Sequence, residues 1–124
     1  MPKGKRKVKR DEELVRLILD TLDDMKAERV VSLDVRHLTS MTDYMVVASG
    51  RSDRHVRAIA DAILERCEAA GFEPLGIEGK EAGEWVLVDL ADAIVHVMLP
   101  RVREFYNIEN LWDMSARDES AELA

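Results

Sequence analysis

The chain has 124 residues, 47% of them apolar, which suits one domain with a single hydrophobic core. No apolar run approaches the roughly 20 residues of a membrane-spanning helix, so we expect no membrane span. The only cysteine, Cys67, cannot form a disulfide within the chain and fits a reducing compartment, so we expect a cytoplasmic location.

Charge divides the chain into a basic leader and an acidic body. Residues 1–10 hold six Lys or Arg and no acid, so the net charge of −7 for the chain leaves −13 on residues 11–124. An acidic body repels nucleic-acid phosphates and favours basic protein surfaces. The leader offers little apolar surface, and we predict that residues 1–10 are disordered in the free protein.

The first predicted helix starts at Asp11, which suits an N-cap. Glu12 and Glu13 then lie in its first turn, near the positive end of the helix dipole. Apolar residues recur every three or four positions, as an amphipathic helix requires: Leu14, Leu17, Ile18, Leu22 and Met25. A strand follows over residues 30–35, with its odd-numbered residues inward.

The middle of the chain predicts strand, helix and strand. Residues 44–48 are apolar at every position, as in a strand covered on both faces. Ser52 or Asp53 caps the next helix. The predicted buried stripe of that helix is Val56, Ile59, Ala60, Ile63 and Cys67. A short strand over residues 75–78 and a loop over residues 79–83 come next, and this order implies a parallel crossover.

A hairpin is the most informative part of the sequence. Residues 85–89 and 93–99 are apolar, β-branched runs around a turn-like Asp-Leu-Ala-Asp. If the turn has two or four residues, Val88 pairs with Ala93. One face is then wholly apolar: Val86, Val88, Ala93, Val95, Val97 and Leu99. The other face is mixed: Trp85, Leu87, Asp89, Asp92, Ile94, His96 and Met98. We expect helices of the chain to cover the first face, and a partner is a candidate cover for the second.

Aromatic residues are concentrated at the hairpin and after it. A three-residue turn would move Trp85 off the mixed face, so a binding role and burial in the core both remain open for it. Pro100 suits the first turn of a third helix, which carries Tyr106. Asn107 or Asn110 interrupts or restarts that helix.

Five blocks of sequence carry a resemblance to a known family: Thr42-Asp43-Tyr44-Met45, Ser49-Gly50, Ser52-x-x-His55-Val56, Pro74-Leu75-Gly76-Ile77-Glu78-Gly79, and the hairpin with its continuation to Met114. Together they resemble the ribosomal silencing factor family, RsfS, also called Iojap. The resemblance covers residues 13–114, so we predict an α/β domain over residues 11–114 and a polar tail over residues 115–124. The elements predict a mixed sheet of about five strands flanked by helices. The resemblance implies the same sheet and a similarity to the nucleotidyltransferase core.

The resemblance implies a binding protein and not an enzyme. Family members dock on the large ribosomal subunit through protein fourteen of that subunit, block joining of the small subunit by steric exclusion, and repress translation when nutrients are short. They also look dimeric when free, which implies a homodimer here. Carried over to matching positions, the contact residues are Trp85, Asp89, His96, Tyr106, Glu78 and Glu104. An aromatic patch with an acidic rim suits a basic ribosomal protein.

Two other functions remain open. A large-subunit assembly factor would bind the same subunit without blocking finished particles. A nucleotidyltransferase-like enzyme would need Gly-Ser at a helix start and paired acids on a strand to hold Mg²⁺. Gly50-Arg51-Ser52 is a weak version of the first element, and Asp89 and Asp92 suit a turn better than a metal site.

Other candidates for chemistry are weak. Cys67 lies on a buried stripe, and no histidine stands at helical spacing from it. His37, His55 and His96 lack metal-ligand spacing. We therefore predict no catalytic residue, no metal and no cofactor.

For the basic leader two interpretations remain open. Residues 1–10 are either solvated without a partner, or they reach ribosomal RNA next to the docking site and add phosphate contacts. In the second case the acidic body selects the protein partner, and the leader adds affinity that depends on salt.

Overall fold

The computed structural model describes the backbone of residues 2–112 and the side chains of residues 9–112. Its elements are α1 (Pro2–Asp24), β1 (Glu28–Asp34), β2 (Tyr44–Ser49), α2 (Asp53–Ala69), β3 (Gly76–Glu78), β4 (Trp85–Asp89), β5 (Ala93–Met98) and α3 (Pro100–Tyr106). A further helical stretch covers residues 108–112, and the predicted tail over residues 115–124 lies outside the described residues. No helix in the described part of the chain combines the length and the apolar character that crossing a bilayer requires.

One five-stranded sheet organises the fold, in the strand order β1-β2-β5-β4-β3. β2 and β5 are parallel, and every other neighbouring pair is antiparallel. The predicted α/β fold, a mixed sheet of five strands flanked by helices, is confirmed. The crossover through α2 joins β2 to β3, which run in the same direction with two strands between them.

Helices α1 and α2 cover one face of the sheet. The predicted stripe of α2 is buried in full: Val56, Ile59, Ala60, Ile63 and Cys67. The remainder of this core comes from α1 and the strands, chiefly Leu14, Ile18, Leu22, Val46, Ala48, Val86, Val88, Val95 and Val97. Burying one such aliphatic side chain is worth about 1.5–3 kcal/mol, so this layer is a main source of stability.

Both ends of α2 are fixed by local contacts. Ser52 is the N-cap, and its hydroxyl accepts the His55 backbone N–H at 3.1 Å. The His55 ring accepts the Arg51 N–H at Nδ1, and its Nε2 lies 2.8 Å from the carbonyl oxygen of Met25. These bonds tie the start of α2 to the end of α1. Gly71 follows the C-cap with a φ of +90°, which glycine adopts without strain.

Helix α1 begins at Pro2 and not at Asp11. The prediction of a disordered leader over residues 1–10 is therefore wrong for residues 2–10. Asp11 lies inside the helix, 3% exposed, instead of capping it. Lys and Arg are good helix formers, and a helix nucleated by packing of its apolar stripe extends readily into such residues. Pro2 is tolerated because it stands in the first turn.

Strands β4 and β5 form the predicted hairpin, but in a register shifted by two residues. Val88 pairs with Val95 and not with Ala93, and the turn consists of residues 91–92 alone. Because side chains alternate along a strand, a shift of two residues leaves every side chain on its predicted face. Trp85 therefore lies on the mixed face.

The chain itself covers only part of this second face. Three side chains from α3 and the stretch after it pack there: Val102, Ile108 and Trp112. Their neighbours are mainly on β1, β2 and the end of β5: Leu33, Val35, Met45, Val47 and Met98. Leu87 on β4 and Ile94 on β5 remain half-buried. A partner is thus needed to cover only the part of the second face around Leu87 and Ile94.

Candidate protein-binding surface

Four aromatic rings form a continuous row from the core of the second face to solvent. The ring centroid of Trp85 lies 5.9 Å from that of His96 and 5.0 Å from that of Tyr106. Phe105 extends the row, with its centroid 5.0 Å from that of Tyr106. His96 is 7% exposed and Trp85 is half-buried. Tyr106 is 56% exposed and Phe105 79%. We call these four residues the aromatic row, and exposed aromatic anchors of this kind are enriched in protein interfaces.

A hydrogen bond fixes the indole of Trp85. Its Nε1–H donates to Nδ1 of His96 at 3.0 Å, so the neutral imidazole carries its proton on Nε2. The two residues come from neighbouring strands, where Trp85 pairs with Met98 and His96 pairs with Leu87. They are diagonal neighbours on one face, which aromatic side chains can bridge.

A buried arginine holds α3 against the sheet. Arg103 is 2% exposed, and its Nε donates to both carboxylate oxygens of Glu109 at 2.8 and 2.9 Å. Its Nη1 donates to Oγ of Ser49, at the end of β2, at 2.9 Å. Between Arg103 and Glu109 the helix is broken at Asn107, whose φ is +48°. The sequence analysis missed Arg103, because an Arg and a Glu six residues apart match no helical pairing.

Acidic side chains border the aromatic row on the hairpin side. Asp89 is half-buried, and its Oδ1 accepts the Ala91 N–H at 2.9 Å, so it also shapes the turn as predicted. Glu78 is exposed on β3, where it pairs with Leu87 and shares its face. The accessible part of this surface, which we call the hairpin face, consists of Glu78, Trp85, Leu87, Asp89 and Ile94.

The structure brings five of the six predicted contact residues to one surface: Trp85, Asp89, His96, Tyr106 and Glu78. The sixth, Glu104, lies elsewhere. A separation of two residues is about 200° around a helix, so Glu104 points away from Tyr106. It lines a depression with Arg29 and Asn107. His96 is so deeply buried that its observed contact is with Trp85 and not with solvent.

Burial lowers the pKa of His96 from 6.5 to about 4. The ring is therefore neutral at pH 7 and accepts the Trp85 hydrogen bond. In the unfolded chain the same ring is solvated and titrates near its ordinary pKa of about 6.5. Protonation of His96 therefore favours the unfolded state over the folded state.

We expect the folded state to lose stability as the pH falls from about 6.5 to about 4. In this window the unfolded chain binds a proton at His96 that the folded chain rejects. The contribution of His96 to the free energy of unfolding is complete above pH 6.5. Below that pH it decreases by up to about 1.4 kcal/mol per pH unit. Urea unfolding of the wild type and of His96→Gln across the window measures it, because glutamine accepts the Trp85 bond without titrating. Parallel pH curves for the two proteins would contradict this role.

The two elements of the nucleotidyltransferase alternative lie at opposite ends of the sheet. Ser52 follows the end of β2 and lines a cavity of about 550 Å³ with Arg51 and Arg101. Asp92 lies at the start of β2, where its carbonyl oxygen accepts the Tyr44 N–H. β2 has six residues. At about 3.3 Å per residue, the helix start and the acids of the turn are separated by roughly 17–20 Å. Groups this far apart cannot share one metal-bound triphosphate.

Three acids that are distant in sequence meet where α1 passes the starts of the inner strands β2 and β5. Asp11, Asp43 and Asp92 bring carboxylate oxygens within 4.8 Å of one another. Carboxylates are ligands of Ca²⁺ and Mg²⁺, but Asp11 and Asp43 also interact with other groups of the chain. The sequence analysis gave Asp11 a capping role and Asp92 a turn role, since only the packing of α1 brings the three acids together.

Cys67 has a structural role. Burial raises the pKa of its thiol to about 11, so the sulfur stays protonated at neutral pH. It is part of the core beneath α2, as its place on the predicted stripe indicates. A protonated, buried thiol is a small apolar side chain and a poor nucleophile.

Comparison with known proteins shows which family the chain resembles. The family described as "Ribosomal silencing factor during starvation" matches residues 8–124. Ribosomal silencing factor RsfS of Chromobacterium violaceum is 46% identical over 101 residues, which are 82% of this chain and 83% of that protein. RsfS of Haemophilus influenzae is 46% identical over 99 residues, which are 80% of this chain and 97% of that protein. A mouse protein named for mitochondrial assembly of the ribosomal large subunit is 32% identical over 114 residues, which are 87% of this chain and 49% of that protein.

Solved structures agree with these sequence matches. A crystal structure of a Chromobacterium violaceum protein is similar with a TM-score of 0.81 at 45% identity, over 82% of this chain and 85% of that one. A crystal structure from Bacillus halodurans is similar with a TM-score of 0.75 at 38% identity, over 82% of this chain and 94% of that one. Both structures are thus similar to this chain in sequence as well as in fold.

Proposed function

Because the chain belongs to the RsfS family of ribosomal silencing factors, we propose that it binds the large ribosomal subunit and blocks joining of the small subunit. The proposed contact is with protein fourteen of the large subunit, and the result is repression of translation when nutrients are limited. The observation that carries this proposal is the aromatic row, which ends in two exposed rings beside the hairpin face.

The anatomy of the surface suits a basic protein partner. Trp85 and Tyr106 supply the apolar anchor, and Asp89 and Glu78 lie on its border. Residues 11–124 carry a net charge of −13. Such a body attracts a basic ribosomal protein and repels bare ribosomal RNA, which favours the protein as the docking site.

The predicted contact residues then have different tasks. Trp85 and Tyr106 contact the partner directly, with Asp89 and Glu78 facing its basic groups. His96 positions the Trp85 indole through the 3.0 Å hydrogen bond. Glu104, on the other side of α3, joins the contact only if the partner extends around that helix.

In the free protein, we propose that a homodimer covers the same apolar surface. Phe105 and Tyr106 are 79% and 56% exposed with ring centroids 5.0 Å apart, and exposed aromatic side chains grouped in this way favour association. Sedimentation velocity of the free protein measures the dimer. A monomer at all concentrations up to those of the ribosome-binding assay would contradict it.

Sedimentation with purified ribosomal subunits tests the main proposal. The protein should move with the large subunit in a sucrose gradient and not with the small subunit. Added to finished large subunits, it should then reduce the formation of joined particles in proportion to its occupancy. Absence from the large-subunit peak would overturn the proposal.

The name of the mouse relative favours a second candidate, assembly of the large subunit. An assembly factor binds immature large subunits and leaves the joining of finished ones unchanged. The same joining assay therefore separates the two functions: inhibition supports silencing, and binding without inhibition supports assembly.

A further inference from the structure

Helix α1 carries the basic leader past the end of the helical layer. It runs without a break from Pro2 to Asp24. Arg10 anchors it, because its Nη2 donates to the carbonyl oxygen of Gly71 at 3.0 Å and its guanidinium lies 4.6 Å from the ring centroid of Phe72. Gly71 and Phe72 follow the last turn of α2, so the residues before Arg10 continue beyond the end of that helix.

The leader leaves the domain at the end of the sheet where the β4–β5 turn lies. The carboxylates of Asp11 and Asp92 lie within 4.8 Å of each other, and Asp92 belongs to that turn. Asp89, on the border of the hairpin face, ends β4 at the same end of the sheet. At about 1.5 Å per residue, residues 2–10 extend by about 13 Å. The leader therefore projects from the face that α1 and α2 cover, past the end of the sheet at which Asp89 borders the hairpin face.

The sign of the charge indicates the kind of partner. Residues 1–10 hold six positive side chains, whereas residues 11–124 carry a net charge of −13. A basic protein that attracts the hairpin face would repel this leader. RNA phosphates would do the opposite, since they attract the leader and repel the body.

We infer that residues 2–10 are a preformed basic helix that binds the phosphate backbone of ribosomal RNA beside the docked hairpin face. This inference rests on the proposed binding to the large subunit. An arm that is helical before binding loses less conformational entropy on docking than a disordered arm does. The body and the leader thus recognise two partners of opposite charge at neighbouring positions.

A salt series with purified large subunits tests the phosphate contacts in the full chain. The variant Lys3→Gln/Lys5→Gln/Lys7→Gln should bind at least tenfold more weakly than wild type at low salt. The slope of log Kd against log salt should fall by about two to three, one for each lost phosphate contact. The control Arg16→Gln/Lys26→Gln/Arg54→Gln removes the same charge from exposed positions of the body and should leave the slope unchanged. Equal slopes for the leader variant and wild type would overturn the inference.

A matched pair of substitutions at Lys7 tests the helix. Lys7→Ala and Lys7→Pro remove the same charge, but only proline breaks a helix from within. We expect Lys7→Pro to bind large subunits at least fivefold more weakly than Lys7→Ala. Equal affinities would show a flexible arm and would overturn the preformed helix.

Binding to free RNA separates this inference from the proposed function. The full chain should bind a 20-base-pair RNA duplex weakly, and the triple leader variant should lose that binding even if docking on the subunit fails. If wild type sediments with large subunits but its salt slope matches that of the variant, silencing stands and the leader inference fails. Binding to phosphatidylserine vesicles as strong as binding to RNA would overturn the choice of RNA.

Discussion

Replacing Trp85 by alanine is expected to weaken binding to the large subunit by about 2 kcal/mol or more, a factor of roughly thirty. The indole is half-buried between Tyr106 and His96, so its removal takes away the central ring of the aromatic row. It also deprives His96 of the donor at its Nδ1. Sedimentation with purified large subunits, or a direct binding titration, measures the loss.

Two further variants test whether the loss of binding is specific to the aromatic row. Tyr106→Ala, at a residue that is 56% exposed, should weaken binding without affecting folding. Met41→Ala removes a side chain that is 81% exposed and lies outside the aromatic row, and should bind as wild type does. If Trp85→Ala unfolds the domain, as seen by circular dichroism, Trp85 is a core residue and the surface is assigned wrongly.

The face of each hairpin residue could be predicted from sequence, although the pairing could not. Alternation along β4 and β5 places Trp85 and His96 together in any register shifted by an even number of residues. The predicted pair of Val88 with Ala93 centred the turn between residues 90 and 91, whereas the chain turns at residues 91–92. The candidate surface therefore survived an error in register, because only the parity of the shift decides which side chains share a face.

Sequence patterns could not show which neighbours complete the surface. The break at Asn107 was among the predicted ones, but the pattern does not indicate that Arg103 becomes buried beside Glu109. The same holds for the burial of His96, which depends on how α3 and the strands pack around it. Local periodicity describes the faces of single elements, whereas these contacts join elements that are separate in sequence.

For the leader, even the local conformation could not be predicted from composition. Its composition predicts a disordered arm when residues 1–10 are considered alone. In the structure the packed stripe of α1 nucleates a helix that extends through them, and Arg10 fixes it by contacts with Gly71 and Phe72. Tertiary packing of the later residues thus determines the conformation of the earlier ones.

The largest loss of stability is expected for Arg103→Ala, about 3 kcal/mol or more. The substitution leaves the carboxylate of Glu109, whose side chain is 17% exposed, without its cation and removes the bond to Ser49. An unpaired charge in such a place is strongly destabilising. Since these bonds hold α3 to the sheet, the variant should also displace Tyr106 from Trp85 and weaken binding to the large subunit.

Arg101→Ala is the matched control for this prediction, because it lies on the same helix and also removes an ion pair. Nη2 of Arg101 lies 3.1 Å from Oε1 of Glu84, but the two side chains are 66% and 53% exposed. Exposed pairs contribute only about 0–1 kcal/mol, since solvent screens them. Urea unfolding at pH 7 compares the free energies of unfolding of the two variants. A loss for Arg103→Ala no greater than that for Arg101→Ala would mean that packing of Val102, Ile108 and Trp112 alone holds α3 in place.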